Sequence, residues 1–144
     1  MEIHSKKTLT LITSWLLFML YLSPVVSAQD TLTVDEQYAK ARHIAFNQGN
    51  YDKARSLAYR ALKTSPDYHG IRIFVANLYA WEEQYSDARQ ELKYILERDP
   101  DNRRALLAIV KIESWSDRYP KALDWVEKGL THYPGDEEFM LDKA

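Results

Sequence analysis

The sequence predicts an all-α protein, an α-solenoid of about three helix-turn-helix repeats with an incomplete fourth. Three observations carry that reading. A shift of 34 residues takes Trp81, Tyr85, Ala88, Leu96 and Pro100 onto Trp115, Tyr119, Ala122, Leu130 and Pro134. The same shift backwards reaches Asn47, Tyr51, Ala54, Leu62 and Pro66, so only the Trp is lost. Within the copies, apolar residues such as Tyr38, Ala41, Ala45 and Phe46 recur at the spacing that keeps one helix face dry. Gly49-Asn50, Pro66, Pro100 and Pro134-Gly135 punctuate the copies where helices must stop.

Residues 1–28 stand outside the period. A basic head with Lys6 and Lys7, an apolar run over 9–22 and small residues at Val26 and Ala28 form the three parts of a secretory signal peptide. The run is short against the roughly 20 residues that a membrane-spanning helix needs. Cleavage after Ala28 is therefore expected, and export would place the repeats in a bacterial periplasm or at the outer membrane. Residues 29–34 have no periodicity and are expected to be an extended linker.

The first repeat occupies 35–68. Its first helix is expected over 35–48, stopped by Gly49, with Asn50 as the N-cap of the next. The partner helix runs over 51–64 and ends before Pro66, which disfavours helical geometry at Ser65. The second repeat, 69–102, starts at His69, turns near Glu83-Gln84 and stops at Pro100. The third, 103–136, starts at Arg103 and runs to about His132. Pro120 falls just inside its second helix, where a missing N–H costs nothing. Residues 137–144 begin a fourth first-helix that stops after about two turns. Repeat arrays end on a capping helix, so this tail is expected either to dock as a short cap on Trp125, Val126 and Gly129 or to belong to a longer chain.

The period also assigns packing. Ala54, Ala88 and Ala122 stand where paired helices cross most closely, and Tyr51, Tyr85 and Tyr119 are expected to fill the corner beside each turn. Ala61, Ile95 and Gly129 are expected to meet the first helix of the following unit. A lone helix pair cannot cover its apolar faces, so the units must stack.

A 34-residue period with aromatic, small and Pro positions in this order resembles the tetratricopeptide repeat. The motif is carried by Tyr51, Ala54, Ala61 and Pro66, then Tyr79, Tyr85, Ala88 and Pro100, then Tyr119, Ala122 and Pro134. Arg42 departs from it, standing where the family has a small residue and where the later copies have Ala76 and Val110. The stretches LYAWEEQYSDAR and IESWSDRYPKAL, together with the export signal, are also similar to the N-terminal repeat segment of YaiO-type outer-membrane proteins. There such repeats precede a β-barrel, whose strands are not found in this sequence, so no barrel function is implied.

The resemblance implies a concave groove lined by the first helices. By register the residues facing it include Ile73, His43, Asn77 and Lys111, Asn47, Trp81 and Trp115, with Arg104 at the mouth. Asn77 could fix a backbone amide or sugar hydroxyl, Lys111 an acidic group, and the Trp rings offer flat apolar area with a polar N–H. Both Trp residues could equally pack the floor against the next unit. The family's clamp for a C-terminal carboxylate is not matched: its polar slots hold Ala39, Phe74 and Ala108, leaving only Arg104.

Composition narrows the classes further. Hydrophobic content of 46% beside 28% charge suits a soluble globular chain. Net charge is −2, and removing Lys6, Lys7 and Glu2 with the signal leaves −3, so there is no basic footprint for nucleic acid. With no cysteine, disulfides, thiol catalysis and cysteine–zinc sites are excluded. His43, His69 and His132 fall in separate units without metal-ligand spacing, and no phosphate loop or nucleophile elbow is present. Glu82-Glu83, Glu97 with Asp99, and Glu137-Glu138 are read as solvated charge. The expectation is a non-catalytic module without cofactor that binds a polypeptide partner, an envelope protein or peptide; the alternative is a polysaccharide.

Overall fold

The computed structural model describes residues 32–141; the expected signal peptide, the first residues of the expected linker and residues 142–144 lie outside that range. Among the described residues there are seven helices and no strand. Three antiparallel hairpins follow one another: α1 (Val34–Gln48) with α2 (Tyr51–Thr64), α3 (His69–Trp81) with α4 (Tyr85–Arg98), and α5 (Arg103–Trp115) with α6 (Tyr119–His132). A short α7 (Glu137–Leu141) begins a fourth. The second helices start at Tyr51, Tyr85 and Tyr119, so the sequence period and the structural period coincide.

Each helix end has a local cause. α1 starts at Val34, one residue ahead of expectation, because Thr33 and Glu36 form a reciprocal capping box. The Glu36 carboxylate takes the Thr33 N–H at 2.8 Å, and that bond holds its pKa below the usual value. The Thr-x-x-Glu pattern stands in the stretch that lacks periodicity. Asn50 and Asn102 cap α2 and α5 through their side-chain oxygens. All three hairpin turns place one residue in the left-handed region: Gly49 at φ 63°, Glu83 at φ 60° and Asp117 at φ 58°. Glycine adopts that conformation without steric cost, whereas the acidic residues of the second and third turns carry some strain.

Ala54 and Ala88 are fully buried at the helix crossings and Ala122 nearly so, which lets paired backbones approach closely. One apolar cluster joins α1 and α2 to α3, and another runs from α3 to α7. Tyr79 packs against both. Where one unit meets the next, two register positions trade volume: Ala61 stands by register with Ile71, Ile95 with Ala105, and Gly129 with Phe139. The last pair is the extreme case. A Cβ on Gly129 would lie 2.4 Å from the Phe139 ring, which is fully buried. The tail therefore docks, and a glycine makes room for it.

A second repeated device ties the starts of successive first helices. Tyr68 donates to Asp35 at 3.0 Å, Asn102 lies 3.3 Å from His69, and Arg103 grips Asp136 through two bonds of 2.6 and 3.0 Å. These are the same two positions of the period, filled by different chemistry. Arg103 also holds Glu138 at 2.6 Å, and its hydrogen bond draws the Asp136 pKa down. Glu138 and Asp99 are thus tied, not merely solvated: Asp99 accepts from Asn102 at 2.7 Å, which lowers its pKa. Glu82 likewise pairs with the buried Arg55 of the preceding unit.

One further expectation is corrected, and one departure from the pattern is explained. Tyr119 does not fill its corner but is 59% exposed. Tyr51 packs on Trp81 of the following unit at 5.7 Å between ring centroids, and the described residues supply no fourth-unit Trp for Tyr119. Arg42 is tolerated where Ala76 and Val110 are buried because it lies on the open face of the first unit, its guanidinium 5.8 Å from the Tyr38 ring.

Candidate functional site

The first helices converge on one side, where α3 and α5 touch directly. Ile73 is buried in the core, as are Leu107 and Ala108. Ile73 therefore packs the base of the face and presents no open surface, a correction to its expected place in the groove. His43, Asn47, Arg104 and Lys111 are exposed, and Asn77 is half-buried.

The Trp residues do two things at once. Trp81 leans on Phe46 at 5.7 Å and on Tyr51 at the same distance, both from the preceding unit, not the next. It nevertheless stays 41% exposed, with Phe46 at 59% and Trp115 at 48%. The row continues inward, Phe46 meeting the buried Phe74 at 6.2 Å and Phe74 meeting Tyr38 at 5.5 Å edge-on. The outcome is an aromatic shelf along the last turn of α1 and α3, anchored below and open above. The role of Phe46 as the support of Trp81 is not carried by the period, because later copies have Ala80 and Ser114 at that position. Arg104 stands at the entrance, its guanidinium 3.8 Å from where a Cβ on Gly70 would lie. Phe74 and Ala108, both buried, fill slots where a carboxylate clamp needs polar groups.

Polar and charged side chains also bridge the seams between units. At the first seam Tyr59 donates to Glu91 at 2.7 Å and lies 3.2 Å from the Tyr79 hydroxyl. Arg72 bonds Glu91 at 2.8 Å and stacks 3.5 Å over the Tyr94 ring. Burial, then the Glu91 bond, pushes the Tyr59 hydroxyl far above the usual tyrosine pKa. At the second seam the buried Glu113 meets Arg89 at 3.3 Å and Arg118 at 3.4 Å. Among the described residues no three His, Asp or Glu side chains come together to hold a metal ion, and no helix is long and apolar enough to cross a membrane.

Stacked helical hairpins with a 34-residue period, an Ala at each crossing and an open first-helix face define a helical repeat scaffold. The tetratricopeptide repeat family matches residues 45–93 and 82–141, and the chain belongs to it. No curated protein matches the chain in sequence. Among solved structures, the first TPR of Spaghetti (RPAP3) bound to the HSP90 peptide SRMEEVD is 16% identical with a TM-score of 0.66, over 78% of this chain and 89% of that one. The Sgt2 TPR domain from Aspergillus fumigatus is 19% identical with a TM-score of 0.64, over 76% of each chain. A MamA RS-1 double mutant is 18% identical with a TM-score of 0.60, over 74% of this chain. This chain covers 59% of the MamA chain's own length. At these identities the likeness is one of fold.

Proposed function

We propose that the chain is a non-catalytic interaction module whose first-helix face docks an extended polypeptide carrying acidic and aromatic side chains. The exposed shelf of Phe46, Trp81 and Trp115 carries this reading. Phe46 and Trp81, in contact at 5.7 Å, and Trp115 at the same register position in the next unit are left 41–59% open, which is costly to hydrate and suits a partner that covers them. Arg104 and Lys111 supply the charge that an acidic peptide would meet, while Asn47 and Asn77 offer amides for its backbone. The RPAP3 structure, in which a similar fold holds an HSP90 peptide, supports a polypeptide as the class of ligand. The leader read from residues 1–28 supports work outside the cytoplasm, and the YaiO-type resemblance supports an outer-membrane assembly.

A panel of extended peptides, acidic and basic, each with and without an aromatic residue, tests the proposal against the full chain. Acidic aromatic peptides are expected to bind, and the double variant Trp81→Ala/Trp115→Ala to weaken them about tenfold or more, the scale of one central anchor. Equal affinity in a double variant with unchanged helicity would overturn it. A polysaccharide is the second reading, favoured by the open Trp115 ring. A shift of Trp fluorescence with a glycan and with no peptide would replace the first reading by this one.

A further inference from the structure

At the second seam α4, α5 and α6 line an open-sided cavity of about 320 Å³ that shares no residue with the shelf. Leu96, Ile109 and Trp125 give it apolar walls, and Arg89, Lys93 and Lys128 set three cations around it against the carboxylates of Glu97 and Glu113. Glu113 is already engaged by Arg89 and Arg118. Glu97 is held 3.6 Å from Lys93 by an exposed pair that water screens. Lys128 lies 5.0 Å from the centre of the Trp125 ring. The cavity therefore joins a flat aromatic wall to ammonium groups left able to take an anion.

Register explains why the space exists. Thirty-four residues earlier, the positions of Lys93, Glu113, Trp125 and Lys128 are Tyr59, Tyr79, Glu91 and Tyr94. At the first seam these side chains knit together, with Tyr59 bonded to Tyr79 and Glu91 and Arg72 stacked on Tyr94. The second seam has exchanged two tyrosine rings for lysines: the Lys93 side chain is 75% exposed, and Lys128 is half-buried against the Trp125 ring. Three tyrosine rings are replaced by one tryptophan ring, and what has been added is positive charge.

We propose that this cavity is a binding site for a small aromatic carboxylate. The ring lies against Trp125 between Leu96 and Ile109, where the first seam keeps its own tyrosine, and the carboxylate meets the ammonium groups of Lys93 and Lys128. Size agrees, since 320 Å³ lies at the lower end of the range for small-molecule pockets. Stacking on the indole and charge-assisted hydrogen bonds to carboxylate are the two stabilising contributions. The site is separate from the shelf and does not depend on it.

The test is a titration of the full chain with 4-hydroxyphenylacetate, followed by the indole N–H resonance of Trp125, which Trp125→Phe identifies by its loss. Saturable shifts at Trp125 are expected. The uncharged 4-hydroxyphenylacetamide should bind about tenfold more weakly, and Lys128→Gln should weaken the acid by a similar factor, the scale of a hydrogen bond to a charged group. Lys93→Tyr restores the first seam's ring and should abolish binding while the helical content stays unchanged. No shift at Trp125 at millimolar acid would overturn the proposal, and so would equal binding of acid and amide. Undiminished binding in a folded Lys93→Tyr variant would do the same.

Discussion

The two seams between the three hairpins share a backbone and differ in what fills them. The first is closed by Tyr59, Tyr79, Glu91, Arg72 and Tyr94, a polar and aromatic network with short bonds and little water access. The second is held by aliphatic residues below and by a carboxylate between two half-exposed arginines above, and leaves a cavity. Both join one unit to the next, so the backbone period constrains them equally. The difference teaches that stacking needs only the buried alanines, leucines and isoleucines, and that the outer layer of each seam is free to become either a fastening or a site.

Substitutions at the carboxylates of Glu91 and Glu113 should break this comparison most visibly. In Glu91→Ala the Arg72 side chain, 12% exposed, loses its carboxylate while keeping the Pro66 carbonyl and the Tyr94 ring, and a charge left without its ion pair at such a position costs about 3 kcal/mol. In Glu113→Ala the side chains left behind are 26% and 45% exposed, water takes over, and the loss should be about 1 kcal/mol. Urea unfolding of both variants checks the ratio, and equal losses would mean that the seams are fastened alike.

Gly129→Ala probes the third junction. Its methyl group would meet the Phe139 ring at 2.4 Å, so α7 must leave. The cost is about 1–3 kcal/mol, read as lost amide protection over α7 with α1–α4 unchanged. Glu83→Gly and Asp117→Gly relieve a left-handed φ at two turns and should raise stability by roughly 0.5 kcal/mol each, after the entropy that glycine adds to the unfolded chain. Gly49→Ala should lower it by a similar amount.

Acid should act first on the junctions and leave the apolar cores alone. The Asp136 and Asp99 pKa values are lowered in the folded chain, by the Arg103 and Asn102 bonds respectively. Their contribution is present above the ordinary carboxylate pKa of about 4 and is lost as pH falls through the lowered folded value. Tyr133 stacks on Phe139 at 6.4 Å, so its near-ultraviolet signal should report α7 undocking at a higher pH than the far-ultraviolet loss of helix.

The fold was legible in the sequence because it rests on what the copies share. The aromatic, alanine and proline positions predicted all three hairpins, and the second helix of the first hairpin, 51–64, to the residue. What the period hid is what the copies do not share. Phe46 supports Trp81 through a contact that exists once. Phe139 could be placed only when Gly129 was seen as the other half of a volume exchange. Ile73 was assigned to open surface by register alone, whereas contact between adjacent first helices buries it. Tyr59, Tyr79, Glu91 and Tyr94 against Lys93, Glu113, Trp125 and Lys128 were readable as mismatches, yet a search for matches passes over them.

The reciprocal exchange Lys93→Tyr and Tyr59→Lys tests the contrast between the seams most directly, with unfolding midpoints in urea as the readout. Filling the second seam should raise the midpoint by roughly 1 kcal/mol of stability, the usual gain on filling a cavity. Opening the first should lower it by about 2 kcal/mol or more, since Tyr79 and Glu91 lose a buried partner. A neutral or destabilising Lys93→Tyr together with a harmless Tyr59→Lys would contradict the account, because the tyrosine would then not be what separates a closed seam from an open one.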